Sequence, residues 1–213
     1  MVVSDQPPVT GPRSSGTVRI TAVEAIPYLV PYRRPARFAS GTVTSADNVL
    51  VRVHTDAGLV GQAEAQPRPY TYGETQSSIV QTVGGHLAEL LVGVDPLCTE
   101  QVAARCGRIS GNQVARGAVD LAVWDLVGQL LGHPCHVLLG GFAPDVAVAH
   151  MVSFAEPAAM AQEALAIHDR FGVNTFKVKV GRAPALDVRG HPRDSRRAAG
   201  CRSVRRRQPR LEL

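Results

Sequence analysis

A strand–helix–strand pattern lies between Asp145 and Val180. Val146–Ser153 has the composition of a strand, Glu156–Phe171 is amphipathic with a helical period, and Thr175–Val180 reads as a second strand. Because the intervening loops are short, this order predicts two parallel strands joined by a right-handed crossover. The pattern is typical of the opening of an α/β domain.

A different pattern precedes it. Val18–Val30 and Asn48–Thr55 are rich in β-branched residues, which favours strands. The turn Asp56–Gly58 and the returning segment Leu59–Ala65 predict a hairpin. We expect the basic, proline-containing segment Tyr32–Gly41 to be a loop.

Helical patterns fill the middle of the chain. Glu74–Leu91 has apolar residues at spacings of three and four, although Gly84–Gly85 weakens its centre. Asp95–Pro96 is predicted to open the next helix, since aspartate caps helices and proline suits the first turn. Asn112 is predicted to cap a longer helix, Gln113–Leu131.

Composition places the chain among globular proteins. It has 213 residues, of which 45% are hydrophobic, so it can form a real core and is not coiled-coil, collagen-like or wholly disordered. No run of 18 apolar residues suggests a membrane span. The four cysteines form no CxxC pair, which favours a reduced, cytoplasmic setting. Residues 1–16 lack the apolar region of a signal peptide and are expected to be a disordered tail.

The basic character of the chain is confined to one end. The net charge is +5, but residues 189–213 hold nine arginines, and the remaining residues carry a net charge of −2. Such a tail could contact phosphates in a nucleic acid. It lacks interleaved aromatic residues, however, so the sequence does not favour this alternative. The seven histidines show no ligand spacing, which leaves a zinc site unsupported.

The two lysines of the chain, Lys177 and Lys179, lie in one predicted strand. Alternate residues of a strand share a face, so both lysines are expected on the face opposite Phe176 and Val178. Within a barrel, they would point into its mouth at the end where catalytic residues gather. Neighbouring like charges disfavour protonation, so such a lysine can serve as a base. The alternative is an antiparallel strand with a solvated cationic face.

Two predicted loops carry side chains suited to a carboxylate substrate with an apolar body. Arginine binds a carboxylate through two parallel hydrogen bonds, and aromatic rings enclose apolar groups. The residues are Arg33, Arg34 and Phe38 in Tyr32–Gly41, and Tyr70 and Tyr72 in Pro67–Gly73. The alternative is that both are ordinary surface loops.

The long helix carries a recognisable motif. Its residues Ala115–Gln129 read Ala-Arg-Gly-Ala-Val-Asp-Leu-Ala-Val-Trp-Asp-Leu-Val-Gly-Gln, and Leu138–Gly141 follows as Leu-Leu-Gly-Gly. This resembles a signature of the mandelate racemase and muconate lactonizing enzymes of the enolase superfamily. The hairpin at Asp56–Gly61 and the strand with Lys177 and Lys179 match the same group in order and spacing. The resemblance covers about residues 17–188.

The resemblance implies a fold and a chemistry. Residues 17–141 would be an α+β capping domain, a three-stranded antiparallel sheet plus helices, and 142–188 the first β-α-β part of a TIM-type (β/α) barrel. The family removes a proton next to a carboxylate and stabilises the enolate on magnesium. Lys179 would be the acid/base, Lys177 would support it, and the two loops would contact a small carboxylate substrate. Muconate cycloisomerase is the nearest match, while racemases, epimerases, dehydratases and o-succinylbenzoate synthases share these features.

The chain departs from this pattern after Val188. The family's three metal-binding carboxylates lie on later barrel strands, so we expect this chain to bind no magnesium and to be an inactive fragment. Residues 189–213 lose all apolar periodicity and are predicted to be a non-native tail without helix or strand. The alternative to an enzyme is a non-catalytic remnant, whose open barrel would promote self-association or aggregation.

We interpret this departure as the result of a change of reading frame. Val204–Glu212 can be written with the codons GTA CGT CGA CGC CAA CCG CGG CTG GAG. Read one base forward, they encode Tyr-Val-Asp-Ala-Asn-Arg-Gly-Trp, which resembles the segment around the family's first metal-binding aspartate. The frame hypothesis therefore predicts that the gene continues as a barrel in the shifted frame.

Overall fold

The computed structural model describes residues 17–38, 41–152, 155–180 and 202–207. The chain divides into two compact units: Met1–Tyr28 with Asp47–Gly140, and Leu29–Ala46 with Gly141–Leu213. Among the described residues, none of the helices has the length and apolar character needed to cross a membrane.

The first sheet has the strand order β1-β2-β3. Its strands are β1 Ile20–Phe38, β2 Gly41–Thr55 and β3 Val60–Ala65. β2 and β3 are antiparallel, with Val49 opposite Ala65 and His54 opposite Val60, as the hairpin prediction required. Alternate residues of β2, among them Val51, are buried on one face and form the centre of the core.

The prediction of a loop at Tyr32–Gly41 is wrong, because β1 continues to Phe38 and β2 begins at Gly41. Pro35 argued for the loop, and β1 contains two further prolines, Pro27 and Pro31. They lie four residues apart, so their nitrogens, which cannot donate, face the same edge of the strand. Among the described strands, β1 lies at the edge of its sheet and pairs only with β2, so prolines at this spacing are compatible with pairing on the edge that faces β2.

Helices cover the middle of the chain. They are α1 Pro69–Tyr72, α2 Gln76–Gln81, a π-helical turn Thr82–Leu87, α3 Ala88–Leu91, α4 Thr99–Cys106, α5 Gln113–Leu131 and α6 Cys135–Leu138. The predicted weak point at Gly84–Gly85 coincides with the π-helical turn. The segment Pro67–Gly73 contains one helical turn and is not wholly a loop. Asp95 does not open α4: its carboxylate accepts a hydrogen bond from the Leu97 amide at 2.9 Å, in a turn before the helix.

The long helix α5 packs directly on β3. The backbones of α5 and β3 approach each other closely at Gly61, because a Cβ atom placed there would lie 2.1 Å from the carbonyl oxygen of Ala122. Beside it, Asp125 Oδ2 accepts hydrogen bonds from the amide of Gln62 and from Gln129 Nε2, both at 2.9 Å. Helix and strand are therefore joined by backbone contact and by a carboxylate that satisfies a strand amide.

The N-terminus of α5 is capped by a side chain that is distant in sequence. Asn112 precedes the helix as predicted, but it has a φ of 50° and its side chain makes no capping hydrogen bond. The buried carboxylate of Glu74 accepts from the amides of Val114 at 2.7 Å and Ala115 at 3.0 Å. A negative group at this position satisfies two free amides and complements the helix dipole. The predicted cap by Asn112 is thus replaced by Glu74.

Burial sets the chemistry of the cysteine at the end of α4. Cys106 is buried, and burial raises the pKa of its thiol, with the Arg116 charge opposing and the Asp120 charge adding to that shift. A raised pKa in the folded state favours the neutral thiol. The resulting stabilisation is present below the thiol pKa of the unfolded chain and is lost as the pH rises through the folded value.

We therefore expect Cys106 to resist alkylation in the folded protein. Iodoacetamide at pH 8 should modify the exposed Cys98 first and Cys106 only after unfolding in urea, because thiolate is the reactive form. Peptide mass spectrometry over a time course measures both rates. Equal rates for the two cysteines in the folded protein would contradict the burial of Cys106.

The second unit contains a parallel sheet of strand order β4-β5-β6. Its elements are β4 Ala149–Val152, α7 Pro157–Phe171, β5 Thr175–Val180 and β6 Arg202–Arg207. The predicted parallel pairing of the first two strands is confirmed. The prediction that 189–213 contains no strand is wrong, since β6 pairs in parallel with β5.

Candidate functional site

The β5 strand separates an apolar face from a cationic one. Phe176 is 6% exposed and packs with Val152 and with Met160 of α7, and Val178 joins the same cluster. Lys177 lies between these two residues in the strand, so it belongs to the opposite face of the sheet. This is the face that the alternation predicted for it.

Met151 of β4 is the neighbour of Lys177 across the parallel pair. Met151 is 40% exposed and Lys177 is half-buried, so this face of the sheet is partly open in the second unit. The backbone of Lys179 continues β5 two residues further along. Its side chain lies outside the described residues.

The β6 strand brings a third backbone beside the lysines. In the parallel register, Val204 is opposite Lys177 and Arg206 is opposite Lys179. The carboxyl ends of all three strands therefore meet at one edge of the sheet. Side chains placed on β6 at these positions would be nearest neighbours of the lysine positions.

A hydrogen bond on the other face joins α7 to the sheet. His150 Nε2 lies 2.9 Å from Glu163 Oε1, and the His150 ring meets the Phe176 ring edge to face at 6.3 Å between centroids. His150 pairs with Phe176 in the register of β4 and β5. This histidine therefore contributes to the layer behind the lysines and is a structural residue.

The predicted substrate residues are divided between the two units. Arg33 is exposed on β1, in the segment Leu29–Ala46 that belongs to the same compact unit as β5. The side chains of Arg34 and Phe38 lie outside the described residues. Tyr70 and Tyr72 belong to the first unit, on α1, and are 84% and 66% exposed.

Sequence reasoning missed a polar group of four residues at the base of the hairpin formed by β1 and β2. It consists of Tyr28, Asn48, Glu64 and Gln76, and we call it the hairpin-base cluster. One feature of the sequence could have indicated it: Asn48 is a polar residue directly before the alternating buried residues of β2. Its partners are 16 or more residues away in sequence, which local patterns do not reveal.

The first unit combines an antiparallel sheet with helices, and the second unit contains a parallel β-α-β sheet. A model of the mandelate racemase/muconate lactonizing enzyme N-terminal domain matches residues 20–140. The chain therefore belongs to the mandelate racemase/muconate lactonizing enzyme family.

Individual relatives agree with this assignment. A muconate lactonizing enzyme from Mycobacterium smegmatis, solved with muconolactone, is 43% identical with a TM-score of 0.81, covering 88% of this chain and 52% of that one. A dipeptide epimerase from Enterococcus faecalis, solved with Mg and the dipeptide L-Leu-L-Tyr, is 30% identical with a TM-score of 0.75, covering 81% and 48%. The N-succinyl-L-Arg/Lys racemase of Bacillus cereus is 30% identical over 174 residues, which are 81% of this chain and 47% of that protein.

The chain thus spans about half the length of the relatives it matches. These relatives are enolase-superfamily enzymes: racemases, epimerases and muconate cycloisomerases.

Within the described ranges, the side chains do not form a magnesium site. Magnesium is held mainly by carboxylate oxygens and water. Across the described ranges, no three His, Cys, Asp or Glu side chains come together in a group that could hold an ion. The sequence beyond Lys179 offers three acidic residues, Asp187, Asp194 and Glu212, all outside the described ranges.

Proposed function

We propose that this polypeptide carries the capping domain and the lysine-bearing strand of an enzyme that removes a proton next to a carboxylate. The observation that carries the proposal is the placement of Lys177 on the face of β5 opposite the α7 core. In barrels of this class, the carboxyl ends of the strands hold the catalytic groups. Lys179, two residues further along the same strand, is the proposed acid/base.

The proposed step is a proton transfer from carbon to nitrogen. Neutral Lys179 Nζ takes the proton from the carbon next to the substrate carboxylate. The electron pair of the broken C–H bond forms a carbon–carbon double bond, and negative charge passes to the carboxylate oxygens. Lys177, as an ammonium group, would hold that carboxylate and offset the developing charge. Return of the proton by Lys179 restores the starting configuration, whereas delivery of a proton to the opposite face by a second acid gives a racemase; other fates of the same anion give a cycloisomerase or a dehydratase.

Substrate recognition is proposed for the cap. Arg33 and Arg34 would bind a carboxylate, and Phe38, Tyr70 and Tyr72 would enclose the apolar part of the molecule. The exposure of Arg33, Tyr70 and Tyr72 supports this proposal, because their polar groups are available to a ligand. The relatives' names suggest dipeptides, N-succinyl amino acids and muconolactone as substrate classes.

The frame hypothesis would supply a metal-binding carboxylate of the kind that the resemblance places on later barrel strands. Parallel strands with helices on their faces are normally rich in apolar residues, whereas β6 reads Arg-Ser-Val-Arg-Arg-Arg. In the shifted frame, the aspartate of Tyr-Val-Asp falls at position 206, opposite Lys179 in the register of β5 and β6. We propose that the intact gene product is the enzyme, and that the chain as printed neither binds magnesium nor turns over substrate.

Solvent deuterium exchange tests this proposal. We expect the protein from a gene restored by one base to exchange the hydrogen next to a carboxylate in at least one probe when magnesium is present. The probes are an Ala-Glu dipeptide, N-succinyl-arginine and muconolactone, followed by NMR in D₂O. The chain as printed should show no exchange above the blank.

The lysine variants separate the roles of charge and base. In the restored protein, Lys179→Ala should slow exchange at least a hundredfold, since a positioned acid/base contributes about 10²–10⁴. Lys179→Arg keeps the positive charge but cannot give up its proton, so it should be equally slow. Exchange within a few-fold of the unsubstituted protein in either variant would refute the role of Lys179.

A non-catalytic remnant is the second candidate, and exposed apolar side chains favour it. In the second unit, Phe142 is fully exposed, Val146 is 84% exposed and Phe171 is 61% exposed. β4 and β6 are also the outer strands of the described parallel sheet. Such surfaces and edges promote self-association. The free thiols of Cys98, Cys106 and Cys135 support a cytoplasmic setting for either candidate.

A further inference from the structure

Strand β3 lies at the outer edge of the first sheet. Among the described strands its neighbour is β2, so one of its two edges has no strand beside it. The amide of Thr55 donates to the carbonyl oxygen of Leu59 at 3.1 Å, so Leu59 and every second residue after it direct their backbone groups towards β2. The amides and carbonyls of Val60, Gln62 and Glu64 therefore face the open edge.

Two side chains of α5 occupy this edge. Asp125 Oδ2 accepts from the amide of Gln62 at 2.9 Å, and Gln129 Nε2 donates to the carbonyl oxygen of Val60 at 2.9 Å. Gln129 Nε2 also donates to Asp125 Oδ2 at 2.9 Å, so the two side chains hold each other in place. One acceptor and one donor thus meet alternate residues of the strand, which is the pattern that a neighbouring strand would supply.

The packing of α5 on β3 rests on other residues. The backbone of Gly61 approaches Ala122 and Leu126, which are fully buried. Asp125 is half-buried and Gln129 is exposed, so both lie at the rim of this contact. A polar pair at the rim adds little apolar burial, but it satisfies strand groups that otherwise form a template for pairing with another chain.

We propose that Asp125 and Gln129 close the open edge of β3 and so prevent it from pairing with β3 of a second copy of this chain. The edge fits an identical strand in antiparallel orientation. A two-fold axis at Gln62 would set Val60 opposite the partner's Glu64, so both chains would use the same backbone groups. The second strand can reach these groups only when both side chains of α5 have left them. This role concerns the first unit alone and does not depend on the proposed function.

Disulfide trapping in the full chain tests this role. Gln62→Cys places a thiol at the centre of the proposed pair, where opposite Cα atoms would be about 5.5 Å apart, a separation that a disulfide spans. In this background, Asp125→Ala combined with Gln129→Ala removes both side chains from the edge. Asp120→Ala combined with Gln113→Ala is the matched control, since it removes one aspartate and one glutamine from exposed positions of the same helix.

We expect about tenfold more disulfide between two copies at position 62 in the edge variant than in the matched control, because two ordinary hydrogen bonds correspond to about that factor in an equilibrium constant. Peptide mass spectrometry after mild oxidation measures the yield and identifies the linked positions. Gln129→Ala alone replaces an exposed side chain, so the fold should be kept and the yield should lie between the two double variants.

Two results would overturn the proposal. One is a disulfide at position 62 no more abundant in the edge variant than in the control. The other is equal linkage of position 62 to the buried Cys106, which reports general unfolding.

Amide hydrogen exchange at residues 60–64 gives a second readout that needs no added thiol. In the edge variant, exchange should slow as the protein concentration rises, because pairing protects these amides. In the control it should not depend on concentration. Association elsewhere on the chain would not protect these amides, so concentration-independent exchange in the edge variant would also contradict the proposal.

Discussion

Replacing Gly61 with alanine is expected to lower the free energy of unfolding by about 3 kcal/mol, at the upper end of the range for overpacked cores. The added Cβ would lie 2.1 Å from the carbonyl oxygen of Ala122 and 2.7 Å from the Cβ of Leu126. The obstructing atoms belong to the backbone and first side-chain carbon of α5, so no flexible group can move aside. The helix must shift away from β3, which also strains the hydrogen bond between Asp125 and Gln62.

Gly117→Ala is the matched control for this prediction. Gly117 lies in α5, the helix that packs on Gly61. It is exposed, and a Cβ atom placed there would have no other atom within 4 Å. Alanine is the better helix former, so this substitution should raise stability by about 1 kcal/mol. Urea unfolding followed by circular dichroism measures both. If Gly61→Ala is as stable as the unsubstituted protein, the close contact between α5 and β3 is wrong.

Removing the carboxylate of Glu74 is expected to be nearly as damaging. Glu74→Ala leaves the amides of Val114 and Ala115 without acceptors in a buried setting, at about 1–3 kcal/mol for each unsatisfied group. It also removes a negative charge from the N-terminus of α5. We expect a total loss of about 3 kcal/mol in urea unfolding, a large part of the stability of an ordinary domain.

Two further variants show whether the carboxylate is the cause. Glu74→Gln keeps one acceptor oxygen without the charge and should fall between Glu74→Ala and the unsubstituted protein. Glu89→Ala removes an exposed carboxylate from α3 and should change stability by less than about 0.5 kcal/mol. A loss for Glu74→Ala no larger than that for Glu89→Ala would contradict the long-range cap.

Elements with strong local signals could be predicted from the sequence. The bounds of α5 follow from its apolar period and from Gly132, which ends the helix with a φ of 67°. The parallel pairing of β4 and β5 follows from the short loops around α7. The extension of β1 to Phe38 could not be predicted from prolines alone, because their effect depends on which edge of the sheet they face.

In the candidate site too, features set by local patterns could be predicted, and those that depend on residues distant in sequence could not. Strand alternation was enough to place Lys177 on the face opposite Phe176, because the period of two is a local property. The cap by Glu74 and the hairpin-base cluster depend on residues that are distant in sequence, so no local pattern contains them. The strand β6 went unpredicted because its arginines do not alternate with apolar residues, and its place depends on pairing with β5.

We propose that Lys177 and Lys179 belong with a third barrel strand that the present reading frame does not encode. Sequencing the gene from independently prepared DNA across codons 181–213 and beyond tests it most directly. We expect the frame shifted by one base to read Tyr-Val-Asp-Ala-Asn-Arg-Gly-Trp at codons 204–212 and to stay open through the rest of a barrel. A stop codon soon after that segment in the shifted frame, or a different peptide at those codons, would contradict the claim.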